Sequence, residues 1–364
     1  MNMEFPDLNT PVAHSASWSC PSNIALVKYW GKKPEGIQWP ANASISWSLG
    51  DLRARTRLVL LESQSAESSL ECYLSGERKP SFEPKIRDFL ARVSADGSCP
   101  ESLRASLVSG AWRIDSSNNF PHGTGIASSA AGFGALALCL VDIAVAMGSD
   151  VSNPMELASR WARLGSGSAC RSVYADPAIW GLHPAVTASS DDFAVPFHAR
   201  IHPDLAEWKD YVLIVDAGEK SVSSTQGHAL LKANPYAEAR YAQAQEHLGD
   251  LLTAMQNGEV SRFMDIVESE ALQLHAMMMA STPSFILMRP GTLAIIEKIR
   301  AYREQSGASV CFTLDAGANV HLLFASVDEN RVVNNLLPSL LPHCQDNQYL
   351  CSNLNSGPEP LNHE

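Results

Sequence analysis

Small residues between positions 118 and 132 form a stretch that could bind a phosphate. It reads Asn-Asn-Phe-Pro-His-Gly-Thr-Gly-Ile-Ala-Ser-Ser-Ala-Ala-Gly and leads into an apolar segment at 130–147. Gly123 and Gly125 permit backbone conformations that other residues avoid. A helix that starts here would present free N–H groups and the positive end of its dipole to an anion. It is not a Walker loop, because no Gly-Lys-Ser/Thr follows. Tight packing of small residues against a buried helix is the alternative explanation.

A basic cluster ends the apolar run at 17–33. Lys28, Lys32 and Lys33 lie next to Tyr29 and Trp30. One interpretation is an amphipathic strand with a solvated basic end. The other is an anion site in which the lysines act as point charges for a phosphate.

Two further stretches hold an arginine and an aspartate that could take part in carboxylate chemistry. Residues 165–172 read Gly-Ser-Gly-Ser-Ala-Cys-Arg-Ser. Arg171 in this stretch could belong to a helix cap and turn, or it could hold a carboxylate in a bidentate way. Asp315 follows an apolar strand at 309–314 and precedes a glycine turn. A carboxylate in that position is costly unless it caps the turn or takes part in the reaction.

The elements that must position these stretches are a mixture of strands and helices. Periodicity, turn residues and helix caps define them. Strands are expected at 17–33, 38–49 (after a turn), 53–62, 70–79 (a hairpin), 107–116, 193–196, 210–216, 309–314, 320–325 and 348–351. Helices are expected at 84–93, 130–147, 155–164, 235–255, 259–279, 292–305 and 328–341.

A turn at 202–207 predicts a boundary between two lobes, residues 1–203 and 204–353. Residues 354–364 form a tail that is expected to be disordered. A polar loop at 218–227 contains one lysine, Lys220. This loop fits a mobile lid and an ordinary surface loop equally well.

Composition limits the classes of function. The net charge of −12 argues against a nucleic-acid partner, so an anionic ligand would need a local basic pocket. The eight cysteines show no CxxC pair and no zinc spacing, which favours free thiols in a reducing cytosol. Residues 1–13 lack the pattern of a signal peptide. The segment at 130–147 carries Asp142 and is expected to be a core helix rather than a membrane span. The prediction is a cytoplasmic protein with no membrane partner.

Four stretches, taken in order and spacing, closely resemble the diphosphomevalonate decarboxylases. They are Asn-Ile-Ala-Leu-Val-Lys-Tyr-Trp-Gly-Lys at 23–32, Gly-Ile-Ala-Ser-Ser-Ala-Ala-Gly-Phe at 125–133, Gly-Ser-Gly-Ser-Ala-Cys-Arg-Ser at 165–172 and Asp-Ala-Gly-Ala-Asn at 315–319. The likeness covers about residues 17–325. The first and third strings are specific to the decarboxylases, whereas the serine-rich loop marks only the superfamily of galactokinase, homoserine kinase, mevalonate kinase and phosphomevalonate kinase (GHMP kinases).

The resemblance implies a fold, an activity and partners. The fold would be the two-lobed α/β (α+β) fold of GHMP kinases, with a ribosomal-protein-S5-like N-terminal lobe, a ferredoxin-like C-terminal lobe and a deep cleft between them. The activity would convert mevalonate 5-diphosphate to isopentenyl diphosphate with ATP and Mg²⁺, by phosphorylating the C3 hydroxyl and then releasing phosphate and CO₂. The family also implies a homodimer.

The resemblance also implies roles for individual residues. Asp315 would activate or orient the C3 hydroxyl, and Arg171 with Ser168 would hold the substrate carboxylate. Lys28 and Tyr29 would contact the diphosphate or the adjoining reaction centre.

The remaining implied contacts lie around the substrate and the nucleotide. Asn23 would reach the substrate near C3 or its carboxylate, and Lys220 with Ser224 would belong to a loop that closes over the ligands. The positions implied for ATP binding are Gly123, Gly125, Ala127, Ser128, Ser129 and Gly132.

This chain departs from the family pattern at three places. Thr225 stands where many relatives carry an arginine, Lys220 stands alone where they carry a basic pair, and Ala318 stands where they have proline. The missing positive charge leaves the same reaction on mevalonate 5-phosphate as an alternative. Two further alternatives are a 3-kinase that does not decarboxylate and a silent nucleotide-binding paralogue. No acidic pair stands out as a magnesium site.

Overall fold

The fold consists of two β-sheets and the helices that cover them. A computed structural model describes residues 5, 10–62, 68–121, 126–218, 227–228, 230–231 and 234–361. The secondary-structure elements are named below in chain order. The mixed strand and helix content confirms the α/β class expected from the sequence.

The first sheet lies in the N-terminal half of the chain. Its strands are β1 (Val12–Val27), β2 (Ser44–Leu61), β3 (Ser69–Leu74), β4 (Glu77–Arg78), β5 (Ala111–Asn118), β6 (Ala178–Trp180) and β7 (Ala194–Pro196). The strand order is β1-β2-β5-β3-β4, and β6 pairs with both β2 and β7. β1 and β2 pair antiparallel along nearly their whole length, which places Asn23 opposite Ser48 and Ala25 opposite Ser46.

Five helices accompany this sheet. They are α1 (Glu83–Ala95), α2 (Glu101–Ser109), α3 (Ser128–Ala146), α4 (Pro154–Gly165) and α5 (Ala169–Ser172). The Asn153 side chain caps α4 by accepting from the Glu156 N–H, and Pro154 follows at the first helical position, as the sequence predicts.

Helix α3 is apolar almost all round, which is typical of a helix enclosed by its own protein. Among the described residues it alone is long and apolar enough to cross a membrane. The most apolar segment of α3 is 72% buried, and the helix packs against β1, β2 and α4. These contacts confirm the expected core helix.

The second sheet lies in the C-terminal half. After the short helix α6 (Pro203–Ala206), its strands are β8 (Trp208–Leu213), β9 (Val310–Thr313), β10 (Val320–Ala325) and β11 (Tyr349–Asn353), in the antiparallel order β11-β8-β10-β9. The long helices are α7 (Ala237–Asn257), α8 (Val260–Met279) and α9 (Pro290–Ser306). Val212 and Leu323 on one face of this sheet share a hydrophobic core with Ile45 and Trp47 of β2. The two halves are therefore packed together.

Three local predictions are wrong. The strand expected at 107–116 begins only at Ala111, because residues up to Ser109 belong to helix α2. The strands expected at 38–49 and 53–62 are one continuous strand, β2. The helix expected at 328–341 is interrupted, since α10 (Glu329–Arg331) and α11 (Leu337–Leu340) flank a π-helical turn at Val332–Leu336.

Residues 354–361, the part of the tail that the structure describes, are ordered, contrary to the prediction. Leu354 forms a bridge with Leu49, and a short strand, β12 (Glu359–Pro360), pairs with Trp18 and Ser19 of β1. The Arg53 guanidinium donates to the Gly357 carbonyl at 2.8 Å. The polar composition of the tail provides little burial, but its main chain gains hydrogen bonds at the open edge of the first sheet, which composition does not reveal.

Candidate active site

A cavity of about 490 Å³ lies where the two halves meet. Its lining includes Asn23, Lys28, Tyr29, Ser168, Arg171 and Asp315, which the sequence predicts as site residues, and also Ala127 and Ser129. The structure thus brings together side chains from the end of β1, the start of α3, the 165–172 stretch and the turn after β9.

Lys28 and Asp315 form an ion pair across the two halves. Lys28 is only 2% exposed, and its Nζ lies 3.0 Å from Asp315 Oδ1 and 2.6 Å from the Ala25 carbonyl oxygen. Burial lowers the pKa of Lys28, while the charges of Asp315 and Glu270 raise it. The solvated basic end considered for this strand is therefore wrong for Lys28.

The turn that carries Asp315 is closed by other groups. The Gly317 N–H donates to the Asp315 main-chain oxygen at 2.7 Å, and Thr292 Oγ1 donates to the Ala318 carbonyl. Asn319 Oδ1 accepts from two main-chain N–H groups, those of Val215 and Asp216. The carboxylate of Asp315 meets Lys28 in the cavity, a contact that fits the chemical role.

Arg171 is a buried cation held by neutral groups. Its guanidinium donates to Ser46 Oγ at 2.9 Å, to Ser44 Oγ at 2.6 Å and to Asn23 Oδ1 at 3.3 Å. It is 2% exposed and forms no salt bridge within the described part of the chain. Burial lowers its pKa. A buried charge without a counter-ion is costly, so a cavity beside it is suited to an anionic ligand.

Asn23 connects this cation to the 165–172 stretch. Its Nδ2 donates to the Ser168 carbonyl at 3.1 Å and to Ser172 Oγ at 2.7 Å, so its Oδ1 must face Arg171. The amide orientation, and with it the guanidinium position, follows from these hydrogen bonds.

Further cations lie around the cavity, and two of them, Lys85 and Arg92, were not predicted from the sequence. Lys32 follows β1, while Lys85 and Arg92 project from α1. Burial and the charges of Arg92 and Lys85 lower the pKa of Lys32. The amphipathic pattern at 84–93 predicts the helix, but it does not show that one face of α1 borders the cavity. These residues form the local basic pocket that an acidic protein needs for an anionic ligand.

Two aromatic residues of the cavity lining, Tyr29 and His228, carry polar groups. The Tyr29 hydroxyl is buried and has no hydrogen-bond partner among the described residues, and burial raises its pKa. The His228 ring lies 4.5 Å from the Tyr29 ring and 4.6 Å from the Trp30 ring, between centroids. His228 Nδ1 accepts from the Gly31 N–H at 3.0 Å, and burial lowers its pKa to about 3. His228 is therefore neutral with its proton on Nε2, and no signal in the sequence predicted it.

A second cavity of about 170 Å³ adjoins the first. Its walls are mostly apolar and come from β3, β5, α1 and α3, with Lys85 and Ser129 shared between the two cavities. Ser128 and Gly132, both predicted to bind nucleotide, line this second cavity. Ala127 precedes α3 with φ 36°, a left-handed conformation that turns the chain into the helix.

Several predicted residues cannot be placed. Gly123, Gly125, Lys220, Ser224 and Thr225 lie outside the described residues. Within the described ranges there is no group of three or more Asp, Glu, His or Cys side chains that could hold a metal ion.

Sequence comparisons cover both halves of the chain. The model of the diphosphomevalonate decarboxylase-like N-terminal domain matches residues 20–191, and that of the mevalonate 5-diphosphate decarboxylase C-terminal domain matches residues 211–363. The diphosphomevalonate decarboxylase of Aspergillus fumigatus is 31% identical over 91% of this chain and 82% of its own length. The chain belongs to the diphosphomevalonate decarboxylase family.

Solved structures of this family share the fold. The mevalonate diphosphate decarboxylase of Staphylococcus aureus superposes with a TM-score of 0.80 at 27% identity, covering 96% of this chain and 98% of its own. A complex of MDDEF with MVAPP, AMPPCP and magnesium superposes with a TM-score of 0.79 at 27% identity, covering 96% and 99%. The GHMP-kinase-type fold expected from the resemblance is confirmed.

Proposed function

We propose that this diphosphomevalonate decarboxylase family member converts mevalonate 5-diphosphate and ATP to isopentenyl diphosphate, ADP, phosphate and CO₂. The observation that carries the proposal is Arg171, a buried cation that forms no salt bridge among the described residues, in the same cavity as the Lys28–Asp315 pair. A reaction that removes a carboxylate needs both groups, one to hold the carboxylate and one to activate the alcohol. The related MDDEF was solved with MVAPP and AMPPCP, which supports the same pair of ligands here.

Asp315 is the group that meets the substrate alcohol. The C3 hydroxyl is tertiary, hence a hindered and weak nucleophile, and a carboxylate within hydrogen-bond reach orients it and accepts its proton. Lys28 donates to Asp315 Oδ1, and Asp315 lines the cavity in which the alcohol would lie. Because Lys28 Nζ is already held by Asp315 and Ala25, we place it at the reaction centre rather than on the diphosphate.

Arg171 holds the carboxylate that is lost. After C3 is phosphorylated, the C–CO₂ bond breaks, its electron pair forms the new C=C bond, and phosphate leaves from C3. This elimination requires the carboxylate to stay opposite the leaving phosphate. A planar guanidinium, itself fixed by Ser44, Ser46 and Asn23, restricts that orientation.

The nucleotide fits the start of α3 and the adjoining apolar cavity. Main-chain N–H groups at the start of α3, with Ser128 and Ser129, suit its phosphates, and Lys85 lies between the two cavities. The apolar second cavity suits the adenine ring. Bound MgATP supplies the γ-phosphoryl group.

The 5-diphosphate fits the end of the cavity with unpaired donors. The Tyr29 hydroxyl has no partner among the described residues, Lys32 provides a positive charge, and His228 can donate from Nε2. The glycine-containing stretch at 165–168 lines the same space with Ser168 and adds main-chain groups.

The test is a comparison of three substrates. Mevalonate, its 5-phosphate and its 5-diphosphate are assayed side by side, with ADP and CO₂ measured separately. We expect equal amounts of ADP and CO₂ with the 5-diphosphate. Faster turnover of the 5-phosphate would transfer the proposal to that substrate, and ADP without CO₂ would identify a 3-kinase. Nucleotide binding with no ADP from any substrate would identify a silent paralogue.

We also propose the two-lobe division at residues 1–203 and 204–353, with 354–364 as a tail. The two sheets, which fall on either side of residue 203 apart from the tail strand, support it. All eight cysteines are free thiols, which supports a reducing compartment such as the cytoplasm. The homodimer stays a prediction from the family.

A further inference from the structure

A buried carboxylate outside the cavity holds the main chain of Lys28. Glu270, on helix α8, is fully buried, and its Oε2 accepts from the Lys28 main-chain N–H at 2.8 Å. Lys28 comes directly after the last residue of β1. The C-terminal half therefore contacts Lys28 twice, at its main-chain nitrogen through Glu270 and at its side chain through Asp315.

Two partners from α7, Arg240 and His247, hold Glu270 in place. Arg240 Nη2 lies 2.5 Å from Glu270 Oε2, and His247 Nδ1 lies 2.6 Å from Oε1. Burial raises the pKa of Glu270, but His247, Arg240 and the Lys28 N–H outweigh burial and lower it. Both oxygens of an ionised carboxylate are thus occupied, so the side chain has one position.

The ion pair between Arg240 and Glu270 contributes little to the stability of the fold by itself. It is 5% exposed, and its Nε and Nη1 have no hydrogen-bond partner among the described residues. A buried guanidinium with two unpaired nitrogens loses hydration that one contact does not restore. Stability alone therefore does not explain why Arg240 is buried here. A role in holding Glu270 against Lys28 does explain it.

We propose that Glu270 is a positioning residue for the reaction, which sets the place of Lys28 relative to Asp315 from behind the active site. Glu270 does not line the cavity and does not touch substrate. Glu270 acts on the main-chain N–H of Lys28. Asn42, which belongs to the N-terminal half, donates from Nδ2 to the Lys28 carbonyl oxygen at 3.0 Å. This inference rests on the proposed function, since the role of Lys28 does.

The charge of Glu270 has a second effect. Three charged groups act on Lys28 directly: Asp315 after β9, Arg171 in α5 and Glu270 in α8. Arg240 and His247 of α7 act through their contacts with Glu270. Asp315 and Glu270 raise the pKa of Lys28, and Arg171 lowers it. Removing the charge of Glu270 therefore lowers the pKa of Lys28, and Lys28 loses its proton at a lower pH.

The test uses two buried carboxylates on the same helix. Glu268 is 3% exposed and pairs with Arg300 and Arg303 of α9, away from the cavity. We expect Glu270→Gln to lower kcat about 10- to 100-fold, because small displacements of reacting groups have effects of this size. The KM for ATP should change less than about twofold, and the alkaline limb of kcat should move to lower pH. Glu268→Gln should lower the melting temperature but leave kcat and its pH profile unchanged.

Glu270→Asp separates position from charge and also serves if the Gln variant does not fold. It keeps the charge and shortens the side chain, so kcat should fall while the alkaline limb stays at the wild-type pH. Binding of ATP, followed by thermal shift, should be unchanged in every folded variant.

Two results would overturn the inference: a folded Glu270→Asp variant with wild-type kcat, or a Glu270→Gln variant whose kinetics match those of Glu268→Gln. A wild-type protein that forms neither ADP nor CO₂ would contradict the proposed function instead, so the two failures are distinguishable.

Discussion

The two halves of the protein contribute to the cavity in different ways. The N-terminal half supplies most of the polar lining, including Arg171, Asn23 and Lys85. The C-terminal half supplies Asp315 and, from outside the cavity, Glu270. Lys28 forms hydrogen bonds with residues of both halves. The difference suggests that the N-terminal half mainly binds the ligands, whereas the C-terminal half mainly starts the reaction.

The strongest test of this division removes the charge of Asp315. Asp315→Asn keeps the shape of the side chain, and we expect kcat to fall by about 10²–10⁴-fold because proton acceptance is lost. ATP binding, measured by thermal shift, should be nearly unchanged. Asp216→Asn is the matched control, since Asp216 also follows a strand of the second sheet but pairs with Arg289 at the surface. If Asp315→Asn retains more than about a tenth of kcat, Asp315 is a turn residue and not a reactive one.

The next test asks whether the N-terminal half also governs the second chemical step. Arg171→Lys keeps the charge but loses the planar fork, so we expect turnover to fall about 10²-fold with normal ATP binding. Residual ADP formation should be partly uncoupled from CO₂ release in a single turnover. Arg163→Lys is the control, because Arg163 is equally buried but binds Asp192 and lies outside the cavity lining. One CO₂ per ADP at a near wild-type rate in Arg171→Lys would leave Arg171 with only a structural role.

Lys28 contacts both halves, so its substitution and its loss of a proton should both affect catalysis. Lys28→Ala should lower kcat/KM for the diphosphate substrate about 10- to 100-fold, or about 1–3 kcal/mol, through loss of its contact to Asp315. In the wild type, kcat should decline at alkaline pH as Lys28 loses its proton, at a pH below the ordinary lysine pKa because burial lowers it. Lys33→Ala, which breaks only the contact to Asp191 beside the cavity, is the comparison. An unchanged kcat/KM in Lys28→Ala would contradict its place at the reaction centre.

Lys85 should affect binding alone. Lys85→Ala removes a cation between the two cavities, and we expect the KM for ATP to rise about fivefold with little change in kcat, as for an exposed charge contact of about 1 kcal/mol. Arg87→Ala removes an exposed cation on the same helix that lines neither cavity, so the KM for ATP should not change. Equal KM values in the two variants would exclude Lys85 from the nucleotide site.

The smallest effect is expected at the tail, which joins the end of the second sheet to the edge of the first. Arg53→Ala removes the contacts to Ser19 and to the Gly357 carbonyl, and should lower the free energy of unfolding by about 1–2 kcal/mol. The kcat should stay within about twofold of wild type. Urea unfolding measures the first quantity, with the surface Arg78→Ala variant as reference. A large loss of kcat would mean that the tail also sets the distance between the halves.

Most of the residues that we propose as reactive could be found from the sequence, because each stands in a locally unusual context. Asp315 ends an apolar strand, and Arg171 lies in a stretch of small residues. Lys85 and Arg92 could not be found, because a helix pattern does not say which wall of a cavity the helix will form. Glu270 could not be found either, since its partner Lys28 lies 242 positions away.

The sequence by itself determined the elements and the family, because helix caps, strand periodicity and short motifs act over a few neighbouring residues. The cap at Asn153, the apolar helix α3 and the turn after β9 follow from such local patterns. Only the tertiary structure decided which charges are buried, paired or left facing the cavity. Lys28 was expected in solvent, on the diphosphate or at the adjoining reaction centre, and it is buried between two carboxylates of the other half. Burial and pairing depend on packing between distant segments, and that packing determines the electrostatics of the site.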